Sequence, residues 1–295
     1  MSNTTAGLGR QIDSATELQS VVRTMKALAA SSIGQYEQAV RALADYADSV
    51  ELGLSVCIRH AAAAHRITAD SATPVTGTIG ALVFGSDQGL VGQFNELVVD
   101  HAGEALAGLS PSPMIWAVGE RVQARLADAG LPLAGSFAVP QSVTGITALV
   151  ANILMASEAH ISAGDIGGLY LFYNRPCVGG GYGPVSHRLL PLDGRWRREL
   201  AERTWPTATL PEVLGTSTAT LQALIREYLF VSLFRACAES LASENASRLA
   251  AMQRADSNID QLLDEFRITF HRVRQAEIDE ELFDVIAGFE ALPRQ

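Results

Sequence analysis

Proline is absent from Met1–Thr73 and again from Glu212–Leu292, while it recurs between Pro74 and Pro211. Proline removes a backbone donor and clashes with the preceding helical turn, so long helices are permitted at both ends and discouraged in between. Cysteine is scarce: Cys57, Cys177 and Cys237 stand far apart and form no CxxC. A disulfide framework is not indicated, and all three read as small packed side chains. None of the six histidines lies in an HExxH, so no metal site is expected. Long apolar runs are missing, since the stretch Ala81–Phe84 is cut off by Gly85, Ser86 and Asp87, well short of the ~20 residues of a membrane helix. Any link to a membrane is therefore expected to run through a partner, without direct insertion. Positive charge is deficient as well, with 22 Lys and Arg against 32 Asp and Glu and a net charge of −10. The basic residues are scattered, which argues against a nucleic-acid surface and leaves acidity as an aid to solubility. Met1–Gly9 has neither the apolar core of a secretory signal nor the arginine-rich character of a transit peptide, so a cytoplasmic protein made in its final form is expected.

What is present is apolar substance: 48% hydrophobic against 18% charged residues over 295 positions, enough for a well-buried core. In the first arm Ala15, Leu18, Val22, Met25, Ala29, Ser32, Tyr36, Ala39, Leu43, Tyr46 and Val50 follow alternating steps of three and four, the seam of a left-handed coiled coil. Its small residues let a partner helix approach closely. The pattern predicts a helix from about Leu8 to Arg66, ~90 Å long. The last arm repeats the spacing in Leu249, Met252, Asp256, Ile259, Leu263, Phe266, Phe270 and Val273, with Asp256 a polar intrusion. Carried from about Pro211 to Glu290, this helix would reach ~120 Å and be stable only against other helices. An antiparallel pair is expected, because the intervening chain can return the second arm to the start of the first. The alternative for each arm is a helix buried in an ordinary bundle.

The middle alternates. Apolar strands are predicted at Thr78–Phe84, Met114–Val118 and Gly167–Tyr173, helices at Glu120–Ala129 and Gly145–Ala159, and a hairpin arm at Val185–Leu192. The expected architecture is thus α+β or α/β, a long antiparallel coiled coil of terminal helices with a central three-layer, Rossmann-like α/β domain. The expected divisions are residues 1–73, 74–210 and 211–295.

A strand running into Gly85-Ser86-Asp87-Gln88-Gly89-Leu90-Val91-Gly92 and then a helix stands where a nucleotide-binding fold places its phosphate loop. A P-loop requires GxxxxGK[ST], yet Val91 and Gly92 occupy the places of its lysine and hydroxyl. Only Gly89 and Gly92 have spacing suited to a dinucleotide fingerprint. The glycines therefore read as shaping a tight strand-to-helix turn, with Asp87 ordering it, and no cofactor and no catalytic residue are expected.

Three segments, in order, resemble the γ subunits of F-type ATP synthases. The first is Arg10–Gln38, whose Met25-Lys26-Ala27-Leu28-Ala29-Ala30-Ser31 is similar to the family's amino-terminal helix. The second is Gly85–Asn95, similar to the family's Ser-Asp-Arg-Gly-Leu-Cys-Gly-Gly-Phe-Asn segment. The third joins Leu241–Met252 with Ala276–Leu282. The resemblance implies a central shaft inside an α3β3 head, with its foot on the membrane c-subunit ring beside the ε subunit, at the cytoplasmic face of a bacterial membrane. It implies a non-catalytic role, with ATP chemistry in the β subunits.

By the same resemblance Met25, Arg248, Gln275, Asp279 and Glu281 are rotor–head contacts, and Phe283, Ile286, Gly288 and Phe289 belong to an apolar end that turns in a hydrophobic sleeve. Without the resemblance, Arg248 and Glu281 read equally as a solvated helix face and Met25 as a seam residue. Ser32, Gln93, Asp279 and Phe289 depart from the usual lysine, glycine, threonine and alanine, which is similar to divergent γ subunits encoded with alternate, sodium-type ATPases. Trp205–Leu214 does not align with the family's ring-contact loop. The competing readings are a nucleotide-dependent enzyme built on the α/β middle and a non-rotary coiled-coil scaffold.

Overall fold

The computed structural model describes residues 4–63, 77–109, 112–177, 179–192, 194–209, 211–212 and 217–290, without the side chains of residues 61–63, 195, 217 and 288–290. The predicted helix end near Arg66 and part of the segment Trp205–Leu214 lie outside the described residues. Two helices dominate the chain: α1, Thr5–Ala63, and a terminal helix, Ser217–Glu290. Between them lie β1 (Thr78–Phe84), α2 (Phe94–Leu106), β2 (Met114–Val118), α3 (Glu120–Asp128), β3 (Leu133–Phe137), α4 (Val143–Ala163), β4 (Ile166–Pro176), β5 (Tyr182–Leu190) and α5 (Gly194–Ala201). The terminal helix is α6.

Contacts divide the chain into two units. The first joins residues 1–29 with residues 249–295. Val22 of α1 buries against Met252, Ile259 and Leu263 of α6, flanked by Ile12, Ala15, Met25, Ala251 and Ala255. Cross-contacts run Thr5 to Glu277, Gln19 to Asp260 and Arg23 to Asp256, so one number falls as the other rises and the pair is antiparallel. The three-and-four spacing thus pairs the two helices as expected, but not every assigned seam residue is buried: Leu18 and Tyr46 are exposed. Asp256, the polar intrusion in the last arm's seam, is met from α1 by Arg23 and Lys26.

The second unit, residues 30–248, is built on a five-stranded sheet of order β3-β2-β1-β4-β5. β1 to β4 are parallel, and β5 runs antiparallel to β4. Strand alternation sends Ala81 and Val83 to one face, where Val98, Val99 and Ala102 of α2 and Val122 and Leu126 of α3 cover them. Leu82 and Phe84 go to the other face, against Ile146, Val150 and Ile153 of α4 and Leu233, Phe234 and Leu241 of α6. Tyr36, Ala39, Val40 and Leu43 of α1 join this second core. Helices on both faces of a mainly parallel sheet make the three layers.

The structure adds two elements absent from the sequence reading, β3 and α5. β3 escapes the pattern because it is an edge strand of only five residues, half-exposed along its length. The hairpin strand begins at Tyr182, three residues before Val185. α4 is apolar enough in length and composition to cross a membrane, contrary to the reading of the runs, but it packs on the sheet through Ile146, Leu149, Val150 and Ile153. Cys57 and Cys237 are buried as expected, whereas Cys177 is exposed.

Candidate interaction surfaces

In a sheet of this order, successive crossovers use opposite faces on either side of the β1/β4 boundary, and the crevice beyond the carboxyl ends of those strands is where such folds take ligands. Here the glycine-rich turn after β1 spends its polar atoms on the protein itself. Ser86 donates its backbone N–H to Asn95 Oδ1 at 3.0 Å, and Asn95 Nδ2 donates to Ser86 Oγ at 2.9 Å. Asp87 accepts the first-turn amide of Glu120 at 3.0 Å and the amide of Val139 at 3.0 Å, tying the turn to α3 and to the chain leaving β3. A carboxylate at a helix start is also favoured by the helix dipole. Glycine at position 85 is required by contact, because a Cβ there would lie 2.3 Å from Val122 Cβ.

α6 fills the other side of the crevice with a polar strip. Ser243 Oγ donates to the carbonyl of Asn174 at the end of β4 (3.1 Å), and Asn174 Nδ2 donates to the carbonyl of Phe94 (2.8 Å). Ser247 Oγ donates to the carbonyl of Val91 and lies 2.8 Å from Tyr182 Oη. The place that a nucleotide would take in an enzyme of this architecture thus docks the protein's own long helix. These serines and Asn174 escaped the sequence reading. For the serines the available signal is Ser240, Ser243 and Ser247 with Ala242, Asn245 and Ala246, a set too polar for a seam and too small for a solvated face.

Arg248 lies at the end of this strip, withdrawn from solvent with 13% of its side chain exposed. It donates Nη2 to Glu244 Oε1 at 2.6 Å, and the Glu244 side chain is 7% exposed. Burial raises the Glu244 carboxyl above its ordinary range despite Arg248, and Asp87 adds to the rise. Burial, then Glu244, also raises the Tyr36 hydroxyl. Tyr36, Asp87, Asn245 and the Arg248–Glu244 pair line a polar cavity of about 120 Å³.

The remaining expected contact residues lie in the helix pair. Met25 is half-buried against the seam around Val22 and Met252. Gln275, Asp279 and Glu281 are exposed on α6. Beside them Ile278, Leu282, Phe283, Val285 and Ile286 stand in solvent, Phe283 at 70% exposure and Ile286 at 47%. Five large apolar side chains exposed within nine residues form a surface suited to a partner. Gly288 and Phe289 lie in the last turn of α6, with side chains outside the described residues. The structure therefore groups Gln275, Asp279, Glu281, Phe283 and Ile286 on one helical end of the first unit, while Arg248 belongs to the second.

Comparison with known proteins follows the same span. The family described as ATP synthase matches residues 4–292. An ATP synthase gamma chain of Parafrankia sp. (strain EAN1pec) is 27% identical over 293 residues, covering 96% of each chain. One from Moorella thermoacetica is 27% identical over 291 residues, covering 97% of this chain and 98% of its own. Among solved structures, the rotor of the Euglena gracilis mitochondrial ATP synthase superposes with a TM-score of 0.63 at 15% identity, over 93% of this chain and 98% of that one. The central stalk and c-ring structure of the Tetrahymena thermophila mitochondrial enzyme gives 0.58 at 20% identity, over 80% of this chain and 99% of that one. These last two likenesses concern the fold.

Proposed function

The chain belongs to the ATP synthase family as a γ chain, and from that premise we propose that it is the non-catalytic central-stalk subunit of a rotary F-type ATP synthase. It transmits torque between the ion-driven membrane ring and the α3β3 head and so couples ion translocation to ATP synthesis or hydrolysis. Its partners are the α and β subunits, the ε subunit and the c-subunit ring. ATP chemistry belongs to the β subunits, and the complex holds this chain at the cytoplasmic face of a bacterial membrane.

The observation that carries this reading is that the family match runs through both terminal helices and the sheet between them, not through the α/β middle alone. The physics fits. Two helices packed along a seam resist bending and twisting better than one, and Lys26, Arg23 and Asp256 oppose sliding of one past the other. The exposed apolar end at Phe283 and Ile286 offers a surface without directional bonds, which can turn inside an apolar sleeve without locking at one angle. Arg248, Gln275, Asp279 and Glu281 supply polar contacts to the head, and Met25 an apolar one. Contacts that differ between rotational positions bias nucleotide affinity in the head, which is the coupling free energy the motor uses.

Deleting residues 275–295 from the assembled complex tests it. The expected result is a complex that forms and hydrolyses ATP but has lost most ATP-driven ion pumping. Unimpaired coupled pumping would favour a scaffold, and turnover of ATP by the purified chain alone would favour an enzyme.

A further inference from the structure

A cavity of about 240 Å³ in the second unit lies apart from the surfaces described so far, walled by α1, β4, β5, α5 and α6. Its lining combines Arg175 and Arg235 with His187, Ser232 and two aromatic rings, Trp196 and Tyr228. The volume is below the ~300–1,000 Å³ of drug-sized pockets, so the matching ligand is small.

Charge defines one end. Arg175 donates Nε to Glu239 Oε2 at 2.8 Å, and Arg235 donates Nε to Glu239 Oε1 at 2.8 Å. Two guanidiniums therefore share one carboxylate, and that carboxylate is only 8% exposed while the arginine side chains are 45% and 57% exposed. Glu239 does not line the cavity, whereas both arginines do, and Arg175 Nη2 also donates to Tyr173 Oη at 2.6 Å. Glu51 also lines the cavity, but Arg203 engages it, together with Asp48. Burial first, then Arg175 and Arg235, hold the His187 imidazole below its ordinary value, which disfavours a further positive charge there. The lining also holds two packed aromatic rings, Trp196 and Tyr228, with centroids 4.7 Å apart and tilted by 47°.

We propose that this cavity binds a small planar carboxylate, its anionic group between Arg175 and Arg235 and its ring against Trp196 and Tyr228. A fork-shaped guanidinium suits a carboxylate, and an aromatic wall suits the body that carries it. The proposal is independent of the torque reading, since none of these residues belongs to the surfaces assigned to the head.

Calorimetric titration of the full chain with benzoate, benzyl alcohol and inorganic phosphate tests the assignment, with Arg235→Gln as the variant. Arg235 is more than half exposed, and Glu239 keeps Arg175, so the variant retains its fold, which circular dichroism checks. The expected result is one saturable benzoate site, weakened about tenfold or more in Arg235→Gln, the size of one lost charge-assisted hydrogen bond. Benzyl alcohol and phosphate should each bind more weakly than benzoate. Absence of saturable binding, or benzoate affinity unchanged in the variant, overturns the proposal. Phosphate binding as tight as benzoate overturns the aromatic half of it.

Discussion

Lys26 Nζ lies 2.7 Å from Asp256 Oδ2 across the antiparallel helix pair, and Arg23 Nε lies 3.2 Å from Asp256 Oδ1. The one acidic residue in the apolar seam is thus met by two cations three residues apart on the facing helix. A polar group at a seam position specifies register, because a slipped pairing leaves it without its partner. Lys26 first, then Arg23, holds the Asp256 carboxyl below its ordinary 3.8.

A depressed folded-state pKa contributes stability that is present above the unfolded value and lost as pH falls through the folded one. The melting temperature of the full chain is therefore expected to fall less steeply below about pH 4 in Asp256→Asn than in the parent. Thermal melts by circular dichroism over that range check it, and parallel acid profiles would refute it.

Arg248 and Glu244 give a larger effect. Removing one member of a buried pair strands the other's charge, so Arg248→Ala is expected to destabilise the chain by about 3–5 kcal/mol. The Glu244 carboxyl is already raised, and loss of Arg248 raises it further. Such a group keeps its proton on folding, so the variant should lose stability as pH rises above the ordinary carboxylate value and recover some of it in acid. Glu244→Gln added to Arg248→Ala should restore part of the loss, a non-additivity that denaturant titration of all three variants measures.

At Gly85 the question is space. A Cβ would stand 2.3 Å from Val122 Cβ and 2.6 Å from Asn95 Oδ1, both in the packed joint between β1, α2 and α3. Gly85→Ala is expected to cost about 1–3 kcal/mol through overpacking and loosening of the Asn95–Ser86 bonds. Urea midpoints of the variant and of Gly89→Ala, where the nearest atom is the flexible end of Arg121 at 3.8 Å, provide the comparison.

The thiols should separate by accessibility. Burial raises the Cys237 thiol strongly and the Cys57 thiol as well, so both are held protonated, whereas Cys177 is exposed. The thiolate is the nucleophile, so iodoacetamide should modify Cys177 first and reach Cys57 and Cys237 only with unfolding. Peptide mapping against time checks the order.

The sequence by itself determined the long elements. A seam such as Val22, Met25, Ala29 or Met252, Ile259, Leu263 repeats a local geometric rule over many turns, and proline's absence makes the same statement independently. It also exposed the apolar run of β1, since a central parallel strand is buried on both faces and needs no alternation. β3 and α5 were not legible, because short edge elements carry too few residues to establish a period. Only the tertiary structure decided what the polar residues do. Ser243, Ser247 and Asn174 could each have faced water, until the sheet order brought the crevice beside β1 and β4 against α6. Periodicity is a property of neighbours along the chain. The pairing of a polar strip with a strand end, like that of Lys26 with Asp256 across 230 positions, depends on which distant segments the hydrophobic core draws together.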